Sequence, residues 1–234
     1  MRNYKFLKPG LEESFHYRTW QCSPPIAKML RRTVDYMPIR QSDIPKVFAA
    51  DGAYPIDVSI VHVPPPDKHG FLSLGVSIGH SWPTAHSANV IIAEVNEYMP
   101  RVLGKCFLHS SLIDFIVETS RPLVEFPTGG EIGEIERAIS NYVVDLIPDG
   151  ATLQIGIGAI PTAIADCLSG KHNIKIFGMG VDSIVDLVKK GVVSTHIDEL
   201  GLLPIVVAEC FGKKSFSISS IIIRWSKEGA LIAL

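Results

Sequence analysis

Cysteine is scarce in this sequence and lies in no recognisable pattern. The four cysteines are Cys22, Cys106, Cys167 and Cys210, and no C-x-x-C pair or nearby histidine at metal-ligand spacing accompanies them. A disulfide framework and a zinc site are therefore not predicted. We expect a protein without a metal, in a reducing compartment.

A surplus of charge and long apolar runs are also missing. Lysine and arginine number 22 against 24 aspartate and glutamate residues, a formal net charge of −2. No basic run offers a surface to nucleic acid or an anionic membrane. The longest apolar stretches, such as 218–223 within the run SFSISSIIIRW (215–225), fall far short of the roughly 20 residues that a membrane span requires. We interpret that run as a strand or an artefactual tail, and expect a small molecule or another protein as the partner.

A recognisable targeting signal is absent as well. The start of the chain, MRNYKFLKPGLEESF, contains neither the apolar core of a secretory signal nor an Arg- and Ser-rich amphipathic repeat. It therefore indicates no compartment. A serine hydrolase is not expected, because the G-x-S-x-G match GVSIG (75–79) follows a proline- and glycine-rich stretch instead of a predicted strand.

Apolar runs alternate with helical patterns along most of the chain. Apolar residues at three- and four-residue steps predict a helix in 130–147. Apolar, often β-branched runs predict strands at 56–63, 89–96, 111–118, 173–178 and 204–211. This alternation predicts parallel α/β architecture. The proline- and glycine-rich stretch 127–131 predicts a boundary between two α/β halves.

Two other segments have less regular patterns. Residues 1–35 are expected to be irregular except for a helix, IAKMLRR, opened by Pro24 and Pro25 because proline is favoured in a first helical turn. The stretch 64–75 is expected to be a loop or a hairpin from its proline and glycine content.

The sharpest local signal is LQIGIGAIPTAIADCL (153–168), which predicts a strand, a glycine turn and a helix. The turn leaves backbone N–H groups uncovered at the helix start, where they and the helix dipole suit a phosphate or a developing oxyanion. A Cβ atom there would block close approach of a ligand. Taken alone, however, the pattern favours a structural turn, because the third glycine of a dinucleotide fingerprint is missing. The candidate binding residues are Gly156, Ile157, Gly158, Ala159 and Ile160.

Polar residues in the first half give weaker candidates. Four histidines between positions 62 and 86 lack the spacing and carboxylate support of a metal site, so separate surface or hydrogen-bonding roles are expected. Glu94 and Asn96 end a strand that is predicted to be buried. Buried polar groups need partners, and strand ends also form the ligand crevice of open α/β sheets. A structural role and active-site support both stay open for this pair.

Five long stretches carry a resemblance to a known family. They are DYMPIRQSDIPKVF (35–48), DVSIVHVPPPDKHGFLSLGVS (57–77), VIIAEVNEYMPRVLG (90–104), IGEIERAISNYV (132–143) and DGATLQIGIGAIP (149–161). In this order they resemble acetyl-CoA hydrolase/transferases, the group that includes 4-hydroxybutyrate and acetate:succinate CoA-transferases. The resemblance runs in register from about Tyr36 to Val193.

The resemblance implies a fold and a set of ligands. It implies two related open-sheet α/β domains with CoA held between them, residues 1–130 forming the first and 131–234 the start of the second. Family elements are missing before residue 1 and after residue 234, so we expect both domains to be incomplete. Coenzyme A or acyl-CoA is the implied substrate, together with a short carboxylate and no metal. The implied location is cytoplasmic in bacteria and mitochondrial in eukaryotes.

The resemblance also implies a mechanism from which this chain departs. A family glutamate attacks the thioester to give a mixed anhydride, and the CoA thiolate then attacks the anhydride to leave a glutamyl-CoA thioester. The turn Gly156–Ile160 corresponds to the CoA-binding segment. The glutamate belongs to a stretch like H-(S/T)-E-M-x-S-D-G, and aligning Met179 and Asp182 with it places Gly178 at the nucleophile. No neighbouring residue replaces the carboxylate, so we expect the covalent route to be unavailable.

Competing hypotheses follow from this departure. The first is a CoA-transferase of the acetate, succinate and 4-hydroxybutyrate class that is impaired at Gly178. The second is a non-catalytic CoA-binding or regulatory protein that pairs with a full-length relative or forms a homo-oligomer, because a domain cut short exposes apolar surface and strand edges. An acyl-CoA hydrolase is a further alternative, and a sugar-phosphate isomerase-like activity is fold analogy alone.

Overall fold

The computed structural model describes residue 6 and residues 10–29, 34–104, 106–126, 129–194, 203–212 and 232–233. The chain divides into two compact units, Met1–Pro55 and Ile56–Leu234. The run 215–225, interpreted above as a strand or a tail, lies outside the described residues.

Besides a 3₁₀ turn at Gln41–Asp43, the described residues of the first unit form two short strands and two short α-helices. They are strand β1 (Tyr17–Thr19), helix α1 (Pro24–Ala27), strand β2 (Val34–Tyr36) and helix α2 (Ile44–Val47). β1 pairs in parallel with β2, a pairing that was not predicted because three-residue strands are too short to show a period of two. The helix expected after Pro24 is present but ends at Ala27. Its buried Ile26 packs with Val34 of β2 in a small core.

The described part of the second unit contains the remaining strands and α-helices, with several strands in succession before strands and helices alternate. They are β3 (Val58–Val63), β4 (Phe71–Ser73), α3 (Ser81–Ser87), β5 (Val90–Asn96), β6 (Phe107–His109), β7 (Phe115–Thr119), α4 (Glu134–Asp145), β8 (Thr152–Ile155), α5 (Ala159–Cys167), β9 (Lys175–Gly180), α6 (Asp182–Lys189), β10 (Ile205–Cys210) and β11 (Ile232–Ala233). The predicted α/β class is confirmed.

Two open parallel sheets organise the second unit. The first has the order β3-β5-β7, and the second the order β11-β10-β9-β8. One cluster of buried apolar side chains includes Val61 and Val95 of the first sheet and Ile176 and Val207 of the second. Parallel strands that bury apolar side chains in this way agree with the continuous apolar runs in the sequence.

A short segment before α3 joins the second sheet directly. The backbone N–H groups of Ile78 and Gly79 both donate to the Ala208 carbonyl of β10 at 3.0 Å, and Ser77 pairs in antiparallel orientation with Glu209. This segment therefore lies along the edge of β10 opposite β9. It brings residues from the first half of the chain to the end of β10.

Local patterns failed where a pairing joins distant residues. Within 64–75 the predicted loop is present at 64–70. The alternative of a hairpin is wrong, because β4 pairs in antiparallel orientation with the distant strand β6. The strand predicted at 111–118 begins only at Phe115, since a 3₁₀ turn occupies Ser110–Leu112. The domain boundary at 130/131 stays a prediction.

Candidate functional site

The glycine loop follows the last residue of β8 and leads directly into α5. Ile155 ends the strand with a buried side chain, and Gly158 precedes the helix with φ of +122°. The Gly158 carbonyl accepts the first helical bond from the Thr162 N–H at 3.2 Å and a second bond from the Thr162 hydroxyl at 2.8 Å. In the described part of the chain no side chain caps α5. Its first N–H groups therefore face a ligand or water.

The two glycines of the loop have different structural requirements. A Cβ atom on Gly156 would have no heavy atom within 4 Å, so the protein itself does not need glycine there. Gly158 needs its positive φ, which side chains disfavour. Ile157 and Ile160 of the same loop are exposed. The loop thus exposes backbone N–H groups that have apolar side chains on both sides. Such a surface suits a ligand that carries an anionic group next to an apolar one.

Gly178 lies directly beside this loop. It pairs with Ile155 across β8 and β9, so the position aligned with the family nucleophile stands next to the start of the glycine turn. Its φ is +112°, and a Cβ atom there would lie 3.1 Å from Gln154 Cγ and 3.4 Å from the Ile155 carbonyl oxygen. The structure therefore brings together two candidates that are 22 positions apart in the sequence, because parallel strands end at the same edge of a sheet.

Asp182 opens α6 just after β9. It lies in the first turn of that helix, where a carboxylate complements the dipole. A Cβ atom on Gly212 would lie 2.7 Å from Asp182 Cγ, so this side chain rests against the backbone that follows β10.

A second acidic residue near this edge was missed by sequence reasoning. Glu209 lies in β10, opposite Met179 of β9 and beside a break in register between Val207 and Glu209. Its side chain is half-buried, and burial raises the pKa of its carboxyl group. The sequence does contain a signal for Glu209, a single acidic residue inside the otherwise apolar strand PIVVAECF (204–211). A buried charge costs free energy, so such a residue calls for a partner or a function.

Glu94 and Asn96 belong to a hydrogen-bonded cluster at the end of β5. Asn96 is fully buried; its amide nitrogen donates to the Arg121 carbonyl at 2.9 Å and lies 3.0 Å from His62 Nε2. Its amide oxygen accepts from the N–H groups of Tyr98 and Arg121. The Arg121 guanidinium donates to Glu94 at 2.6 Å. These contacts give both residues structural partners, and their proposed support of an active site stays a prediction.

The same cluster perturbs one histidine. Burial lowers the pKa of His62, the Glu94 carboxylate opposes that shift, and the Arg121 guanidinium adds to it. His62 is therefore held in its neutral form, which suits the close approach of the Asn96 amide. Among the described residues no group of three or more His, Cys, Asp or Glu side chains could hold a metal ion.

The first half of the chain matches a model of the acetyl-CoA hydrolase/transferase N-terminal domain over residues 1–126. The sequence is 44% identical over 181 residues to the 4-hydroxybutyrate coenzyme A transferase of Clostridium kluyveri, a match that covers 77% of this chain and 42% of that protein. It is 34% identical over 187 residues to the butyryl-CoA:acetate CoA-transferase of Anaerostipes caccae, covering 76% and 42%. The chain therefore spans less than half the length of these relatives.

Solved structures agree with these sequence matches. RipA from Yersinia pestis superposes with a TM-score of 0.81 at 32% identity, covering 91% of this chain and 51% of RipA. The 4-hydroxybutyrate CoA-transferase of Porphyromonas gingivalis superposes with a TM-score of 0.72 at 29% identity, covering 88% and 54%. No helix in the described part of the chain has the length and apolar character needed to cross a membrane.

Proposed function

The chain belongs to the acetyl-CoA hydrolase/transferase family, and from this premise we propose that it binds acyl-CoA at the glycine loop and moves CoA between an acyl-CoA and a short carboxylate. The names of its relatives, 4-hydroxybutyrate coenzyme A transferase and butyryl-CoA:acetate CoA-transferase, support short, unbranched acids as the substrate class. Acyl-CoA is a substrate in this proposal, and no metal takes part.

One observation carries the proposal: the uncapped start of α5 lies beside the aligned nucleophile position. The N–H groups between Gly156 and Ile160 are available to an oxyanion or a phosphate. Gly178 pairs with the residue that opens this loop. A thioester carbonyl held by the loop would therefore have its reacting carbon over the end of β9, where the family chemistry requires it.

Position 178 cannot itself supply the covalent step. CoA transfer through an enzyme carboxylate stores the energy of the thioester in a bond to that carboxylate. Gly178 has no side chain, so the family reaction either is impaired in this chain or uses another carboxylate. The binding half of the proposal does not depend on this question and is tested separately.

The test of the binding site uses two glycines that tolerate a side chain equally well. Neither Gly156 nor Gly170 has a positive φ that would strain an alanine, and neither has a heavy atom near the new Cβ atom. We expect Gly156→Ala to weaken butyryl-CoA binding by about tenfold or more, because the methyl group separates the ligand from the backbone N–H groups; tenfold corresponds to about 1.4 kcal/mol. Gly170→Ala should bind like the wild type.

Isothermal titration calorimetry with butyryl-CoA measures both affinities, and thermal unfolding checks that both variants fold equally well. Equal binding by Gly156→Ala and the wild type would remove the glycine loop from the site. Failure of the wild type to bind butyryl-CoA at all would overturn the proposed function.

The alternative of a binding or regulatory partner has its own support. Several large apolar side chains on the sheet β3-β5-β7 are exposed, among them Ile60, Phe115 and Val117. Such a face favours association with another chain. Under this alternative, binding of butyryl-CoA would occur without exchange of CoA onto acetate, and the chain would co-purify with a full-length family member.

A further inference from the structure

Glu209 lies close to the place where the family carboxylate would act. Glu209 pairs with Met179 of the neighbouring strand β9, and Met179 directly follows Gly178. Neighbouring strands in a sheet are about 4.8 Å apart, so Glu209 lies one strand further from the glycine loop than Gly178 does. A break in register between Val207 and Glu209 accompanies this position, and such bulges re-aim side chains near active sites.

The carboxylate of Glu209 lies against Gly79, in the segment that precedes α3. A Cβ atom on Gly79 would lie 3.0 Å from Glu209 Oε1, so the side chain occupies space that only glycine leaves open. Gly79 belongs to the segment whose N–H groups bond to Ala208. The backbone of β10 at Glu209 is therefore bonded to this segment along one edge and to β9 along the other.

Two other partly buried carboxylates of the second unit, Asp67 and Glu94, have partners that Glu209 lacks. Asp67 accepts two backbone N–H bonds and pairs with Arg101, and Glu94 pairs with Arg121. Throughout the described residues, no donor or cation contacts the Glu209 carboxylate, and burial alone raises the pKa of its carboxyl group. A half-buried carboxylate without a partner lowers the stability of the folded chain, because burial removes it from water. This cost makes Glu209 a candidate for a functional role at the end of the sheet.

We propose that Glu209 is the carboxylate that attacks the acyl-CoA thioester in this chain, in place of the side chain that Gly178 lacks. This inference rests on the proposed CoA-transferase function. Gly178 leaves room over β9 for the acyl carbonyl, and Glu209 lies one strand away, opposite Met179. Its carboxylate lies against Gly79, so in this proposal the side chain turns from Gly79 towards β9 when acyl-CoA binds. The adjacent Cys210 is not the nucleophile, since burial and the charge of Glu209 raise the pKa of its thiol to about 12.

The covalent steps balance without a further reactant. A Glu209 oxygen bonds to the thioester carbon, the carbon–sulfur bond breaks, and CoA leaves as its thiolate. The thiolate then attacks the glutamyl carbonyl of the mixed anhydride, which releases the acyl group as a free carboxylate and leaves a glutamyl-CoA thioester. An incoming carboxylate such as acetate reverses these two steps and leaves as its own CoA ester. No oxidant, reductant or proton donor is consumed.

The test traps the glutamyl-CoA thioester in the full chain. Hydroxylamine converts such a thioester to a glutamyl hydroxamate and releases CoA, so peptide mass spectrometry after incubation with butyryl-CoA identifies the labelled residue. We expect the hydroxamate at Glu209 in the wild type and loss of this label in Glu209→Gln. The matched control is Glu118→Gln, an exposed strand glutamate of β7, which should keep the label on Glu209.

Each result separates this inference from the function on which it rests. Glu209→Gln should bind butyryl-CoA with unchanged affinity, because the glycine loop holds the ligand. A hydroxamate on another residue, or binding and exchange without any label, would overturn the role of Glu209 while the proposed function stands. Release of butyrate without a label would indicate Glu209 or another base acting on water, and would also refute the covalent role. No binding by the wild type would overturn the proposed function itself.

Discussion

Gly178 adopts φ of +112°, a conformation that L side chains rarely adopt. The glutamate of the family could not occupy this backbone without rotating it to a negative φ. A rotation would disturb the pairing of Gly178 with Ile155 and Val207 on either side. A glutamate at position 178, which the family resemblance implies, would therefore require a different local conformation of β9.

We expect Gly178→Glu to lower the free energy of unfolding by about 1–3 kcal/mol, the usual range for a residue held in a sparsely populated backbone conformation. Urea denaturation monitored by circular dichroism measures this change. Gly170→Glu is the control, because Gly170 has open space around it and no positive φ; its effect should stay within about 0.5 kcal/mol. Equal stability of the two variants would show that the strand accommodates a glutamate.

Glu209 should leave a signature in the pH dependence of stability. Burial raises the pKa of its carboxyl group in the folded chain above the ordinary value of 4.5, so the folded state holds the proton more tightly than the unfolded state does. The stability associated with this group is complete below pH 4.5 and is lost as the pH rises through the folded pKa. Glu209→Gln should therefore be more stable than the wild type at neutral pH, with a difference that shrinks towards acid. Denaturant midpoints between pH 4 and pH 7 test this, and a constant difference would contradict it.

At the scale of elements, the end of β5 depends on one buried amide. Asn96 satisfies two N–H groups and one carbonyl that follow strands β5 and β7. It also contacts the neutral His62 ring of β3. A single side chain thus ties the ends of all three strands of this sheet together.

We expect Asn96→Ala to lower the free energy of unfolding by about 1–3 kcal/mol, because it leaves buried backbone groups without partners. The control is Asn89→Ala, an exposed amide whose contact with Asp57 is 3.4 Å long, with an expected effect within about 0.5 kcal/mol. Chemical denaturation of both variants gives the comparison. If Asn96→Ala kept full stability but lost butyryl-CoA binding, the residue would instead support the active site.

At the scale of the whole molecule, the sheet β3-β5-β7 presents an apolar face. Ile60, with 72% of its surface exposed, and Phe115, with 62% exposed, flank Ile92 on this face. β7 is also an edge strand of the sheet, and an exposed apolar edge favours pairing with another chain. From both features we expect the isolated chain to associate at high concentration.

We expect sedimentation velocity to show concentration-dependent association of the wild type and less association of Ile60→Thr. Threonine keeps the β-branched shape that suits a strand while adding a hydroxyl group to the apolar face. Val124→Thr changes a valine that lies outside the sheets and is 61% exposed, and this variant should associate like the wild type. A monomeric wild type at all concentrations would count against an interacting role for this face.

The sequence by itself determined the elements whose patterns are local. Runs of fewer than about 20 residues predict strands β3, β5, β9 and β10 and the glycine turn before α5. Runs of the same length carry the family resemblance that aligns Gly178 with the nucleophile. Helical and strand periods express which face of one element is buried, so they are readable without knowledge of the fold. The α/β class and the family were accessible for the same reason.

Only the tertiary structure decided which distant residues meet. It pairs β4 with β6, places Gly178 beside Ile155, and sets Glu209 between Met179 and the segment that contains Gly79. Burial, a missing counter-charge and a positive φ arise from contacts across strands, and no local pattern encodes them. The sequence showed that a carboxylate is absent from position 178. The fold supplied the neighbouring carboxylate that we propose acts in its place.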